Sequence, residues 1–110
     1  MKDNNNETWK EIDGISGYLV SDRGQIKSLN YKRTGKPQIL KLTPNGIYLS
    51  VNLKGKLYLA HRLVAAAFVP NPNNYSDIKF KNGDTRDIDA NNLEWVYHNY
   101  NKKFMQNDGV

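Results

Sequence analysis

The chain has 110 residues, no cysteine, a formal net charge of +5, and 38% hydrophobic against 25% charged residues. This length suits one compact domain with a modest core. Disulfides and thiolate metal sites are excluded, and no apolar run approaches the length of a membrane span.

Residues 1–7 are polar and expected to be a disordered tail. "TWKEI" (8–12) alternates and ends at the turn signal Asp13-Gly14. "GYLVS" (17–21) and "QIKSL" (25–29) read as two strands about a turn in which Gly24 can take positive φ. A basic loop follows. Then "ILKLT" (39–43), "IYLSVNL" (47–53) and "LYLA" (57–60) alternate, separated by the turn signals "PNG" and "KGK". The first 60 residues therefore predict one antiparallel meander.

At His61 the period changes. "HRLVAAAFV" places Leu63, Val64, Ala67 and Phe68 on one helical face, and Pro70 and Pro72 end it. "DIKFKNGDTRDIDANNLEWV" (77–96) reads as two short strands about a polar loop. "YHNYNKKFMQ" (97–106) predicts a closing helix with Lys102 and Lys103 late in it, where cations suit the dipole. The fold class is α+β. A strand-loop-strand-helix unit of this size has few core residues and needs a metal or a neighbouring sheet to stand.

The charge is unevenly placed. Residues 31–60 carry Lys32, Arg33, Lys36, Lys41, Lys54 and Lys56 without one Asp or Glu. Such a basic block on a near-neutral body favours a polyanion partner, double-stranded DNA above a merely solvated surface. Arg23, Lys27, Arg62 and Lys79 join the expected phosphate contacts, which position a protein without conferring sequence preference. Trp9 and Trp95 are expected in the core. Asp84, Asp87 and Asp89 read as turn and capping residues, and Asn92 as a brace for the loop.

Two patches carry a resemblance. "WKEIDGISGYLVSDRGQIKSL" (9–29) is similar to a nuclease-associated modular DNA-binding motif. "AHRLVAAAFVPNPNN" through "FKNGDTRDIDANNLEWV" resembles the helix, Pro-Asn-Pro loop and ββα active-site segment of phage and mobile-element HNH endonucleases. The resemblance implies a β-rich DNA-binding module of the NUMOD type at 8–56, and a helix plus an HNH-like ββα finger at 57–106. Residues 1–7 carry no apolar segment of a signal peptide, so a cytoplasmic setting in a bacterial host is expected, with host or phage origin left open.

The resemblance further implies which residues do the chemistry. Lys79 stands at the family's carboxylate or amide position and Phe80 at the histidine that acts as general base. Asn92 matches the asparagine that orients the base, and Asn101 the helix residue that completes the metal site. Phenylalanine has no titratable group, and an ammonium repels a metal. That repulsion is several kcal/mol at contact even at an effective dielectric of about 20. The expectation is a degenerate site: no catalytic residue, no metal and no cofactor. The competing readings are a magnesium- or other divalent-cation-dependent nicking endonuclease using Asn92, Asn101 and a displaced base such as His98, and a module that blocks a protein partner. His61 is expected to bond backbone or DNA rather than to serve as a base, and no acid is expected to hold a metal beside His98.

Overall fold

The computed structural model describes residues 6–98. The expected helix at 97–106 and Asn101 fall almost wholly or wholly outside these residues. Strands β1 (Trp9–Glu11), β2 (Tyr18–Ser21), β3 (Ile26–Ser28) and β4 (Gln38–Ile39) form one antiparallel sheet in sequence order. Strands β5 (Thr43–Asn45), β6 (Tyr48–Leu53) and β7 (Lys56–Leu59) form a second. Helix α1 (Ala60–Phe68) follows directly, and β8 (Asp77–Phe80) pairs with β9 (Leu93–Val96) in a two-stranded hairpin.

The single meander expected over residues 1–60 is thus two sheets. The break falls at Leu40–Leu42. The Leu40 amide still donates to the Ile26 carbonyl at 2.8 Å, beyond the end of β4. Leu40 and Leu42 then turn partly inward against the common core. The "PNG" segment is also strand rather than turn as far as Asn45. Pro44 is tolerated because β5 is an edge strand, where a missing N–H costs no ladder bond. The chain reverses at Gly46–Ile47 instead, with Gly46 at φ 67.

Period-two alternation sorts the first sheet into faces. Val20 and Ile26 are opposite each other and fully buried on the inner face. Trp9 and Lys27 lie on the outer face, so the structure corrects the expectation that Trp9 is core: it is half-exposed. Helix α1 buries Ala60, Val64 and Ala65 against β2, β6, β7 and β9, and Leu53 and Leu93 close the same core. The Lys10 ammonium caps the helix's last turn, donating to the Ala67 carbonyl at 2.9 Å, where a cation complements the dipole.

Candidate nucleic-acid interface and finger site

Lys79 and Phe80 point in opposite directions on the finger. Phe80 pairs with Leu93 and Ile78 with Trp95 on the face packed against the core. Lys79 stands opposite Glu94, on the same face as Asp77. Phe80 belongs to an aromatic trio that joins three elements. Its ring centroid is 4.9 Å from that of His61 and 5.9 Å from that of Tyr48, and His61 and Tyr48 are 4.9 Å apart. Phe80 therefore plugs the space between the hairpin, α1 and β6.

His61 is 5% exposed, and its Nδ1 has no hydrogen-bond partner among the described residues. At this burial the ring faces the protein interior, against Tyr48 and Phe80. Burial lowers its pKa to about 4, with the neighbouring Arg62 charge adding to the effect. The imidazole is neutral at pH 7. Its ring was legible in the sequence as a helix-opening histidine, but its packing partners sit 13 and 19 residues away and carry no local signal.

The loop at 81–92 is held by amides. Asn92 is buried, and its Oδ1 accepts from the Asn82 amide at 3.0 Å. Its Nδ2 donates to Asn82 Oδ1 at 3.0 Å and to the Asp87 carbonyl at 2.8 Å. Asp84 and Asp89 accept from the amides of Arg86 and Asn91, and Asp87 accepts from Asn82 Nδ2. All three aspartates are spent on the loop itself. No cluster of three or more His, Asp or Glu side chains among the described residues suits a metal ion. Neither an ammonium at 79 nor a phenyl ring at 80 supplies a lone pair, so the donors at these positions do not fit the divalent cation the resemblance implies.

The His98 Nδ1 lies 3.6 Å from the Asp77 carboxylate, on the side of the hairpin that also carries Lys79. This single acid does not make up a group of three ligands among the described residues.

The expected phosphate-binding cations divide into groups. Lys32, Arg33 and Lys36 are exposed on the β3–β4 loop, where Lys32 and Arg33 take φ 51 and 63. Lys54 and Lys56 flank the β6–β7 turn. Lys54 and Gly55 both have positive φ, the twist-compatible geometry of a two-residue hairpin. The Lys54 ammonium reaches the Ser16 hydroxyl at 3.5 Å, so this tip touches the first sheet's β1–β2 connection. Arg23 and Lys41 are exposed, and Lys27 lies half-exposed over Trp9. Arg62 is engaged within the protein, donating to the Ser76 carbonyl at 3.0 Å and lying 5.7 Å from the Trp95 ring. Lys81 and Arg86, exposed on the finger loop, were passed over because Asp and Asn dominate that stretch.

A β-sheet module with cationic turns, a helix, and a two-stranded hairpin about an asparagine-clamped loop make up an HNH-endonuclease-like protein. The chain matches the NUMOD4 motif over residues 7–54 and the HNH endonuclease family over 58–103, and it is homologous to HNH endonucleases. It is 42% identical over 99 residues to an uncharacterized HNH endonuclease of Acanthamoeba polyphaga mimivirus, covering 82% of this chain and 24% of that protein. It is 33% identical over 103 residues to DNA endonuclease I-HmuI of Bacillus phage SP01, covering 93% of this chain and 59% of that protein. A solved structure described as DNA binding and cleavage by the HNH homing endonuclease I-HmuI superposes with a TM-score of 0.71 at 28% identity. It covers 93% of this chain and 59% of that one. The chain thus spans about a quarter to three fifths of the relatives' lengths. No described helix is long and apolar enough to cross a membrane.

Proposed function

We propose that this chain binds double-stranded DNA without hydrolysing it, as a regulator or inhibitor. The observation that carries the reading is the placement of Phe80. The ring at the base position is packed on His61 and Tyr48, and the adjacent Lys79 lies on the other face. Hydrolysis of a phosphodiester by the family's route needs a base at that point and an oxygen-ligated cation beside it. The cations of the β3–β4 loop and the β6–β7 turn, with Arg23, Lys27, Lys41 and Lys79, supply the phosphate contacts. Lysine acts there as a point charge.

A second reading has its own observation. The Asp77–His98 pair at 3.6 Å joins a carboxylate to an imidazole on the face that carries Lys79. In that arrangement His98 serves as a displaced base, and the chain nicks DNA.

One assay separates the two. Supercoiled plasmid is incubated with the protein, with magnesium, with manganese and with EDTA, and binding is followed in parallel. Salt-sensitive binding without nicking supports the first reading. Nicking that requires the metal and disappears in His98→Ala supports the second. Absence of duplex binding at low salt overturns both and points to a protein partner.

A further inference from the structure

The outer face of the first sheet carries a cleft of about 450 Å³ that the duplex-binding reading leaves unused. It is lined by the Trp9 indole, by the apolar Pro37 and Ile39, and by the polar Glu7 and Gln25. Lys27 lies across it, its ammonium 4.2 Å from the indole centroid. An indole left half-exposed on a sheet face, with an apolar wall facing it, is unusual in a small domain that has a core to fill.

The polar side is pre-set. Gln25 Nε2 donates to both oxygens of the Glu7 carboxylate, at 3.1 and 2.8 Å. This fixes the plane of the carboxylate yet leaves lone pairs on both oxygens. A fixed carboxylate presents two adjacent acceptors. Its complement is a pair of adjacent N–H donors on a flat ring. In DNA that pattern belongs to the Watson–Crick edge of guanine, which is available only when the base is unpaired.

We propose that the Trp9 cleft takes one unpaired nucleobase, guanine by preference, while the cations around it hold the neighbouring phosphates. The inference rests on the duplex-binding reading and adds to it a structure in the DNA that the protein selects: a bulge, a gap or a strand end. The Lys27 ammonium leaves the indole as the base enters. A partly exposed cation–π contact is weaker than base–aromatic stacking, so the exchange favours the base. Lys27 is then free to meet the phosphate beside the stacked nucleotide, and the basic β3–β4 loop with Lys32, Arg33 and Lys36 begins at the end of its own strand. Guanine's two donors meet Glu7. Thymine offers a single donor and leaves one carboxylate oxygen unmatched.

The test uses hairpin-capped duplexes, so that fraying ends supply no unpaired base. One is fully paired, one carries a single bulged guanine, and one a bulged thymine. Affinities come from anisotropy of a fluorophore on the cap, for wild type, Trp9→Ala and Glu7→Gln, each checked by a thermal melt. The wild type is expected to bind the guanine bulge about 10-fold more tightly than the paired duplex. Trp9→Ala should lose that preference and keep its affinity for paired DNA. Glu7→Gln should keep the bulge preference but no longer favour guanine over thymine. Should Trp9→Ala fail to fold, the Trp95→Phe variant reports on Trp9 directly: its emission is expected to be quenched by the guanine bulge and not by paired DNA. Equal affinity for paired and bulged DNA in the wild type, or quenching by both alike, overturns the cleft while leaving the duplex-binding reading intact. No affinity for paired DNA at low salt removes the duplex-binding reading itself.

Discussion

The β6–β7 hairpin and the β8–β9 hairpin solve the same problem in different ways. The first reverses in two residues, Lys54 and Gly55, both at positive φ, with the backbone ladder and one bond from the Gly55 amide to Asn52 Oδ1 at 3.0 Å. The second takes residues 81–92 to reverse, and side-chain amides hold that loop together around Asn92. The first hairpin presents cations at its tip. The second spends its carboxylates internally and borrows its hydrophobic support, through Phe80 on Tyr48 and His61 and through the Trp95 indole N–H donated to the Val69 carbonyl at 3.0 Å. A hairpin with a tight turn can be varied at its tip for binding. One with a long clamped loop is a small structure in its own right, and its stability rests on a few irreplaceable contacts.

The largest effect expected from that contrast is at Phe80. Phe80→Ala should cost about 3 kcal/mol in a denaturant titration, because it empties the space between three elements. Lys79→Ala, one residue away on the other face, should cost under about 1 kcal/mol. Similar losses at both positions would break the two-faced description of β8.

Acid should unfold the same trio. His61 has its pKa lowered to about 4 in the fold, against an ordinary value of 6.5. Between those values the unfolded chain binds a proton that the folded chain does not. Stability therefore falls as the pH drops from about 6.5 to about 4, and changes little from this source below that. The full loss is roughly 3 kcal/mol. His61→Phe should flatten this part of the stability-versus-pH curve. A curve of wild-type shape in that variant would assign the acid sensitivity elsewhere.

Asn92→Ala comes next, at about 2 kcal/mol, since it leaves the Asn82 amide and the Asp87 carbonyl unpartnered by its side chain. Hydrogen exchange should rise across residues 82–87 and remain unchanged in β6 and β7. Exchange that rises equally in both hairpins would mean that the clamp is not local.

The smallest effect on stability, and the largest on binding, belongs to the tight hairpin. Lys54→Ala with Lys56→Ala should shift the melt by less than about 1 kcal/mol. With four to six phosphates met, the slope of log affinity against log salt should be about −4 to −5, and the double change should flatten it by about 2. An unchanged slope would remove this tip from the DNA contact.

Legibility from sequence followed the range of each interaction. Strands β2, β3, β6, β8 and β9 and helix α1 were readable because alternation, helical periodicity and Gly turns are local signals. The division of the first 60 residues into two sheets was not, because it depends on Leu40 and Leu42 packing against elements distant in sequence. Pro44 is a similar case: a Pro-Asn-Gly run reads as a turn, and only the strand's place at a sheet edge makes the proline acceptable. At the finger, residue type alone raised the expectation that Lys79 and Phe80 lack a base and a metal ligand. That the two face apart, that His61 lies under Phe80, and that Asp77 stands beside His98 are facts of tertiary packing.

Glycine 24 has a consequence for inheritance. It sits at φ 94, and a Cβ there would come within 2.6 Å of the Ile88 side chain. Next to it the Ala90 amide donates to the Asp22 carbonyl at 2.8 Å, and the Thr85 hydroxyl donates to the Ile47 carbonyl of the β5–β6 turn. The finger loop is thus bolted to a turn in each of the two sheets. The NUMOD4 and HNH segments meet as neighbours along the chain, between residues 54 and 58, but in space they interlock. A recombination event that exchanged one segment for that of a distant relative would have to bring a matching glycine turn with it.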